Sequence, residues 1–147
     1  MFKIGDSKCR VLDAKPSAAG AARKFTGHVL AEWGITANTN DIALVVSELA
    51  TNAVKATLPD GLSPLAQEGA SDTKVIYLCL SLTGGAVRIQ VWDNNPAAPV
   101  QAHPGDDAEG GRGLLLVSLL CKQWGTCWPP SGGKIVWAEY TIEAFPP

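Results

Sequence analysis

The sequence predicts an α+β protein, a two-layer α/β sandwich whose mixed, mainly antiparallel sheet carries its helices on one face. The first observation is the stretch Asp41 to Thr57, where Ile42, Val45, Val46, Leu49 and Ala53 recur at helical spacing as an apolar stripe. The second is two pairs of β-rich runs, 73–82 with 86–92 and 124–128 with 134–142, each joined by a short glycine-containing turn. The third is the order: strand, helix, helix, hairpin, loop, helix, hairpin. Consecutive strands without crossover helices favour antiparallel pairing under one layer of helices.

Taken in order, Cys9–Asp13 reads as a short strand, ended by Pro16. Ser17 stands where it can cap a helix from Ala18 to Trp33. Ala22, Phe25, Val29, Leu30 and Trp33 share one face of it, Arg23, Lys24 and Glu32 point away, and Gly34 stops it. His28 stands alone and reads as a surface or partly packed histidine. Asn38-Thr-Asn-Asp41 offers capping side chains to the central helix. Residues 58–72, with two prolines and two glycines, read as a loop. Its length marks either a functional segment or a tolerated surface insertion. Thr83-Gly84-Gly85 turns the first hairpin, whose second run ends at Asp93-Asn-Asn-Pro96. Residues 94–111 form a second loop closing on Gly110-Gly111-Arg112-Gly113, and a hydrophobic helix follows over Leu114–Leu120. Pro129-Pro-Ser-Gly-Gly133 turns the last hairpin.

Composition narrows the function classes. An apolar fraction of 46% and a charged fraction of 18% fit a compact globule with a real core. A formal net charge of −2 argues against direct nucleic-acid binding, which relies on neutralising phosphates. No apolar run approaches membrane-spanning length, and Met1–Asp6 lacks a secretory pattern. The cysteines at 9, 79, 121 and 127 match no zinc spacing. Cys79, inside an apolar run, reads as a buried free thiol acting as a small hydrophobe. An even count leaves disulfides open, but a core this apolar does not need them, so a reduced, cytoplasmic interior is expected.

The candidate chemistry lies in three pieces. Glu48 and Asn52 are four residues apart and stack on one helical face, a proton acceptor beside a neutral oxygen suited to a hard cation. Such a pair is also what a solvated helix flank carries, so the other pieces decide. Asp93 ends a buried strand. Gly110-Gly111-Arg112-Gly113 opens a helix, where converging backbone N–H groups and the helix dipole favour a phosphate. No Walker loop is present, and a long polar loop precedes the glycines where a dinucleotide fingerprint requires a strand.

The order Glu48-x-x-x-Asn52, Asp93-x-Asn95, Gly111-x-Gly113-Leu114 resembles the N, G1 and G2 boxes of Bergerat-fold (GHKL-type) ATPases. The branch it most resembles is the small anti-sigma-factor serine/threonine-protein kinases. Residues 46–54, 111–117 and 132–139 carry the particular likeness, which covers roughly 16–142, so the whole chain 1–147 is expected to form one such domain. The resemblance implies ATP and Mg2+ as cofactors. It casts Glu48 as general base and Asn52 as the Mg2+ ligand. Asp93 becomes the acceptor for the adenine amine, and Asn95, Gly110, Gly111, Arg112, Gly113 and Leu114 become further nucleotide contacts. Residues 97–110 become a lid.

Two positions depart from the family pattern. Asn95 replaces a glycine two residues after the aspartate, and Ile135 stands where threonine is common near the adenine. The implied function is transfer of the ATP γ-phosphoryl group to a serine of an antagonist protein. The free protein would hold a sigma factor inactive and regulate transcription, with a homodimer as its assembly. The alternative is a non-catalytic nucleotide- or partner-binding module of the same fold. An acetyltransferase reading of the glycines is disfavoured by the missing strand before them.

Overall fold

The computed structural model describes residues 5–58, 74–99 and 112–142. Its elements are β1 (Ser7–Asp13), α1 (Ala18–Glu32), α2 (Thr39–Thr57), β2 (Val75–Thr83), β3 (Ala86–Asp93), α3 (Arg112–Leu120), β4 (Gln123–Cys127) and β5 (Lys134–Thr141). The strands form one sheet in the order β1-β2-β3-β5-β4, and every pairing is antiparallel. The expected α+β class therefore holds, with an antiparallel rather than mixed sheet among the described residues. No helix among them is long and apolar enough to cross a membrane.

Strand alternation sets the two faces. Ile76, Leu78, Leu80 and Leu82 of β2, and Val87, Ile89 and Val91 of β3, are all buried at alternate positions. They meet Ile42, Val45, Val46 and Leu49 of α2, the stripe read from helical spacing. The opposite sheet face is lined with half-exposed side chains. There Tyr77 meets Trp92 edge-on at 5.1 Å, and the Arg88 guanidinium lies 4.4 Å over Trp137 while pairing with Glu139.

The helix ends refine the sequence reading. Gly34 takes φ +74°, its N–H bonds Ala31 O, and Ile35 N–H bonds Leu30 O. This pair of bonds closes α1 by the left-handed route that glycine permits. Ser17 does sit at the N-cap position, but its backbone is right-handed helical and its side chain makes no cap bond. α2 begins at Thr39 rather than Asp41, because Asn38 takes the turn in left-handed geometry at φ 61°. Asp41 instead lies in the first turn, where a carboxylate suits the helix dipole, and accepts the Tyr140 hydroxyl at 2.7 Å.

The cysteine reading needs a correction. Cys9 and Cys79 are direct cross-strand partners on β1 and β2 and form a disulfide. Cys79 is therefore not a free thiol. That role falls to Cys121, whose burial pushes its thiol up to about 11, so it stays protonated and unreactive near neutrality. The disulfide ties the edge strand across 70 residues of sequence. Reduction is expected to cost about 2–4 kcal/mol of stability, chiefly by freeing the unfolded chain. Urea unfolding with and without a phosphine reductant measures this. An unchanged midpoint contradicts it.

Candidate nucleotide-binding site

α2, the end of β3 and the start of β5 enclose a cleft of about 500 Å³. Its α2 wall is Leu49, Asn52, Ala53, Lys55 and Ala56; its sheet wall is Val91, Asp93, Lys134 and Val136. Asn95 and Ala97–Pro99 close one side, and Leu114 of α3 another. An apolar slot with a few convergent polar groups is the usual form of a small-molecule site.

Each polar wall group has a structural origin. Asp93 is the last residue of β3 on the inward face, with only 1% of its surface exposed. Its register partner on β5 is Lys134, also inward and 3% exposed, and the Lys134 ammonium donates to Asp93 Oδ1 at 3.0 Å. The same ammonium donates to Asn95 O at 2.8 Å. Asn95 N–H donates to Asp93 Oδ1 at 2.9 Å, so the two donors to this carboxylate share one oxygen. Burial raises the Asp93 pKa above 3.8, with the Lys134 bond, the Asn95 N–H and the Lys134 charge opposing it.

The loop after β3 is held from two sides. Asn95 Nδ2 donates to Ala56 O at 3.0 Å, near the C-terminal end of α2, and Trp128 Nε1 donates to Pro96 O at 2.8 Å. Asn95, where the family pattern has glycine, thus uses its side chain to join this loop to α2. The Pro129–Gly133 turn packs under the end of β3. Trp92 Nε1 donates to Gly132 O at 2.9 Å, and Gly133, at φ +72°, lies so close to Asp93 O that a Cβ would collide with it. The turn thereby sets Lys134 in register beside Asp93.

Of the residues singled out in the sequence, Asn52, Asp93, Asn95 and Leu114 line the cleft. Asn52 is half-buried, and its carboxamide makes no hydrogen bond among the described residues. Glu48, one turn before it, is not a lining residue. Its carboxylate instead abuts Gly113 in the first turn of α3, where any Cβ would strike Glu48 Oε2. Gly110, Gly111, most of the lid and the 59–73 part of the first loop lie outside the described residues, as does the Arg112 side chain. Ile135 needs a correction: the β5 alternation turns it to the opposite face, opposite Trp92 and Cys127. The polar group that β5 sends to the cleft is Lys134, which the sequence reading missed, together with Lys55.

A family model for the histidine kinase-like ATPase domain matches residues 12–126. The chain belongs to the histidine kinase-like ATPase family. No curated protein matches this ATPase-family chain. Among solved structures it is similar to the RsbU and RsbW domains of Rv1364c from Mycobacterium tuberculosis, at TM-score 0.62 and 24% identity. That likeness covers 92% of the present chain and 32% of the other, so the family member spans about a third of its neighbour's length and shares its fold.

Proposed function

We propose that the protein binds ATP with Mg2+ in this cleft and acts as an anti-sigma-factor-type serine kinase, transferring the γ-phosphoryl group to a serine of an antagonist protein. The observation that supports it is the convergence of Asn52, Lys55 and Asp93 on one apolar slot, within a chain of the ATPase family. Asp93 Oδ2, left uncommitted by the bonds on Oδ1, accepts from the adenine amine. Guanine has a carbonyl at that position and is rejected. Lys55 brings positive charge to the polyphosphate, one turn from Asn52.

The residues present fit Mg2+ in one manner. Among the described residues no cluster of His, Cys, Asp or Glu holds a metal alone, while Asn52 offers an unbonded carboxamide oxygen in the cleft. Magnesium favours few protein ligands together with phosphates and water, so Asn52 would hold it jointly with the nucleotide. Bound there, the ion would neutralise phosphate charge. Glu48 takes the proton of the attacking serine hydroxyl. The new P–O bond forms at that serine as the β–γ bridge breaks and ADP leaves.

A sigma factor, held when the antagonist is phosphorylated, and a homodimeric assembly complete this reading. The second reading is a non-catalytic binding module of the same fold, favoured by one observation: Glu48 faces Gly113 rather than lining the cleft.

Calorimetric titration tests the ATP step. Saturable, Mg2+-dependent binding is expected, and Asn52→Ala should weaken its Mg2+-dependent part while leaving the thermal transition in place. The absence of any ATP binding overturns the kinase reading and leaves only the partner-binding form of the second. Asp93 accepts from adenine only when ionised. Affinity is therefore full above its raised pKa and lost as pH falls through it, a loss that begins above pH 3.8. A pH series of the same titration gives the midpoint; affinity that does not fall with falling pH contradicts the assignment.

A further inference from the structure

We propose that Lys134 is a second base-reading residue of the cleft, donating to N1 of adenine beside the amine that Asp93 accepts. The inference rests on the ATP reading and adds a contact which that reading does not contain.

A lysine ammonium carries three N–H donors. Two are engaged, by Asp93 Oδ1 at 3.0 Å and by Asn95 O at 2.8 Å. The third meets no acceptor among the described residues, although Lys134 is 3% exposed and lines the cleft. Asp93 and Lys134 are cross-strand partners, both inward, so an acceptor oxygen and a donor nitrogen stand side by side. Adenine presents the complementary order on its Watson–Crick edge: an N–H donor at N6 next to an acceptor at N1. Guanine and hypoxanthine present the reverse, a carbonyl acceptor next to an N1–H donor. A flipped pair of this kind sets carboxylate against carbonyl and ammonium against N–H, leaving buried polar groups unpaired on both sides. The pair therefore discriminates adenine at two atoms rather than one.

A merely structural lysine, one that only holds the Asp93 rotamer, predicts something different. It gives no preference for N1 itself. The probe is 1-deaza-ATP, which keeps the N6 amine and the triphosphate and replaces N1 by C–H. The wild-type protein is expected to bind it about 10- to 100-fold more weakly than ATP, the usual worth of a hydrogen bond to a charged group. Lys134→Met should bind the two nucleotides alike, and Lys134→Gln, which keeps a donor, should recover part of the preference. Thermal melts establish that each variant is folded; if Lys134→Met is not, the Lys134→Gln ratio against wild type carries the comparison.

Equal wild-type affinity for ATP and 1-deaza-ATP overturns the proposal while leaving the ATP reading intact. Discrimination that persists at full strength in a folded Lys134 variant also overturns it. Failure of ATP itself to bind overturns the underlying reading.

Discussion

Replacing Glu48 by glutamine is expected to lower phosphoryl transfer about 10²–10⁴-fold, the usual loss when a positioned base is removed. ATP affinity and fold should be nearly unchanged. The side chain is half-buried and makes no ion pair or hydrogen bond among the described residues, so its replacement orphans no partner. Stability should therefore move by no more than about 0.5 kcal/mol. Transfer of label from γ-labelled ATP to the antagonist serine, measured beside an ATP titration, separates the two effects.

Gly113→Ala supplies a geometric control for the same idea. Its new Cβ must displace the Glu48 carboxylate, the mobile end of a flexible side chain, so transfer should fall while the helix gains propensity. Transfer that survives Glu48→Gln removes Glu48 from the base role. A wild-type protein that binds ATP yet transfers nothing favours the binding module, in which the Glu48–Gly113 contact only packs α2 against α3.

The fold was legible where periodicity is local. The α2 stripe of Ile42, Val45, Val46 and Leu49 fixes a helix and its buried face within one segment, and Gly84-Gly85 announces a hairpin without reference to the rest of the chain. Ends were less legible, since Asn38 can serve as a cap or enter left-handed geometry, and only the packed structure selects the second. Pairings between distant strands were not legible at all. Cys9 meets Cys79 because β1 and β2 run antiparallel in one register, which no pattern near either cysteine specifies. A shift of β1 by one residue would have turned Cys9 to the core face, away from Cys79.

The same physics explains the uneven reading of the site. Asn52 and Asp93, which line the cleft, carry a signal in local sequence, through a helical spacing and a strand end. Lys134 does not. After two glycines, a lysine reads as the solvated start of a strand. Its inward direction follows from alternation with Val136 and Ala138, and its partner from pairing with a residue 41 positions earlier. Inward alternation was the available signal: a charged side chain in phase with buried positions requires a counter-charge. Ile135 shows the converse: resemblance alone puts its position near the adenine, and the β5 pleat turns it to the other face.

Severing the Asp93–Lys134 pair should produce the largest loss of stability. Both side chains are almost wholly buried, at 1% and 3% exposure, and each is the other's counter-charge. Asp93→Leu is expected to cost about 3–5 kcal/mol, because it strands a buried ammonium and the Asn95 N–H that also binds Oδ1. Lys134→Met should cost a similar amount, stranding the carboxylate and the Asn95 carbonyl. Asp93→Asn should be milder, since its oxygen still accepts from both donors and only the charge is lost.

The double variant Asp93→Leu/Lys134→Met decides the interpretation. Removing both charges together leaves apolar groups in an apolar slot, so its loss should fall well short of the sum of the single losses. Urea unfolding of the four proteins closes the cycle. Additive losses would mean that the two side chains stabilise the fold independently. A strongly sub-additive double variant, folded yet unable to bind ATP, would mean that the pair is kept for the nucleotide and not for the fold.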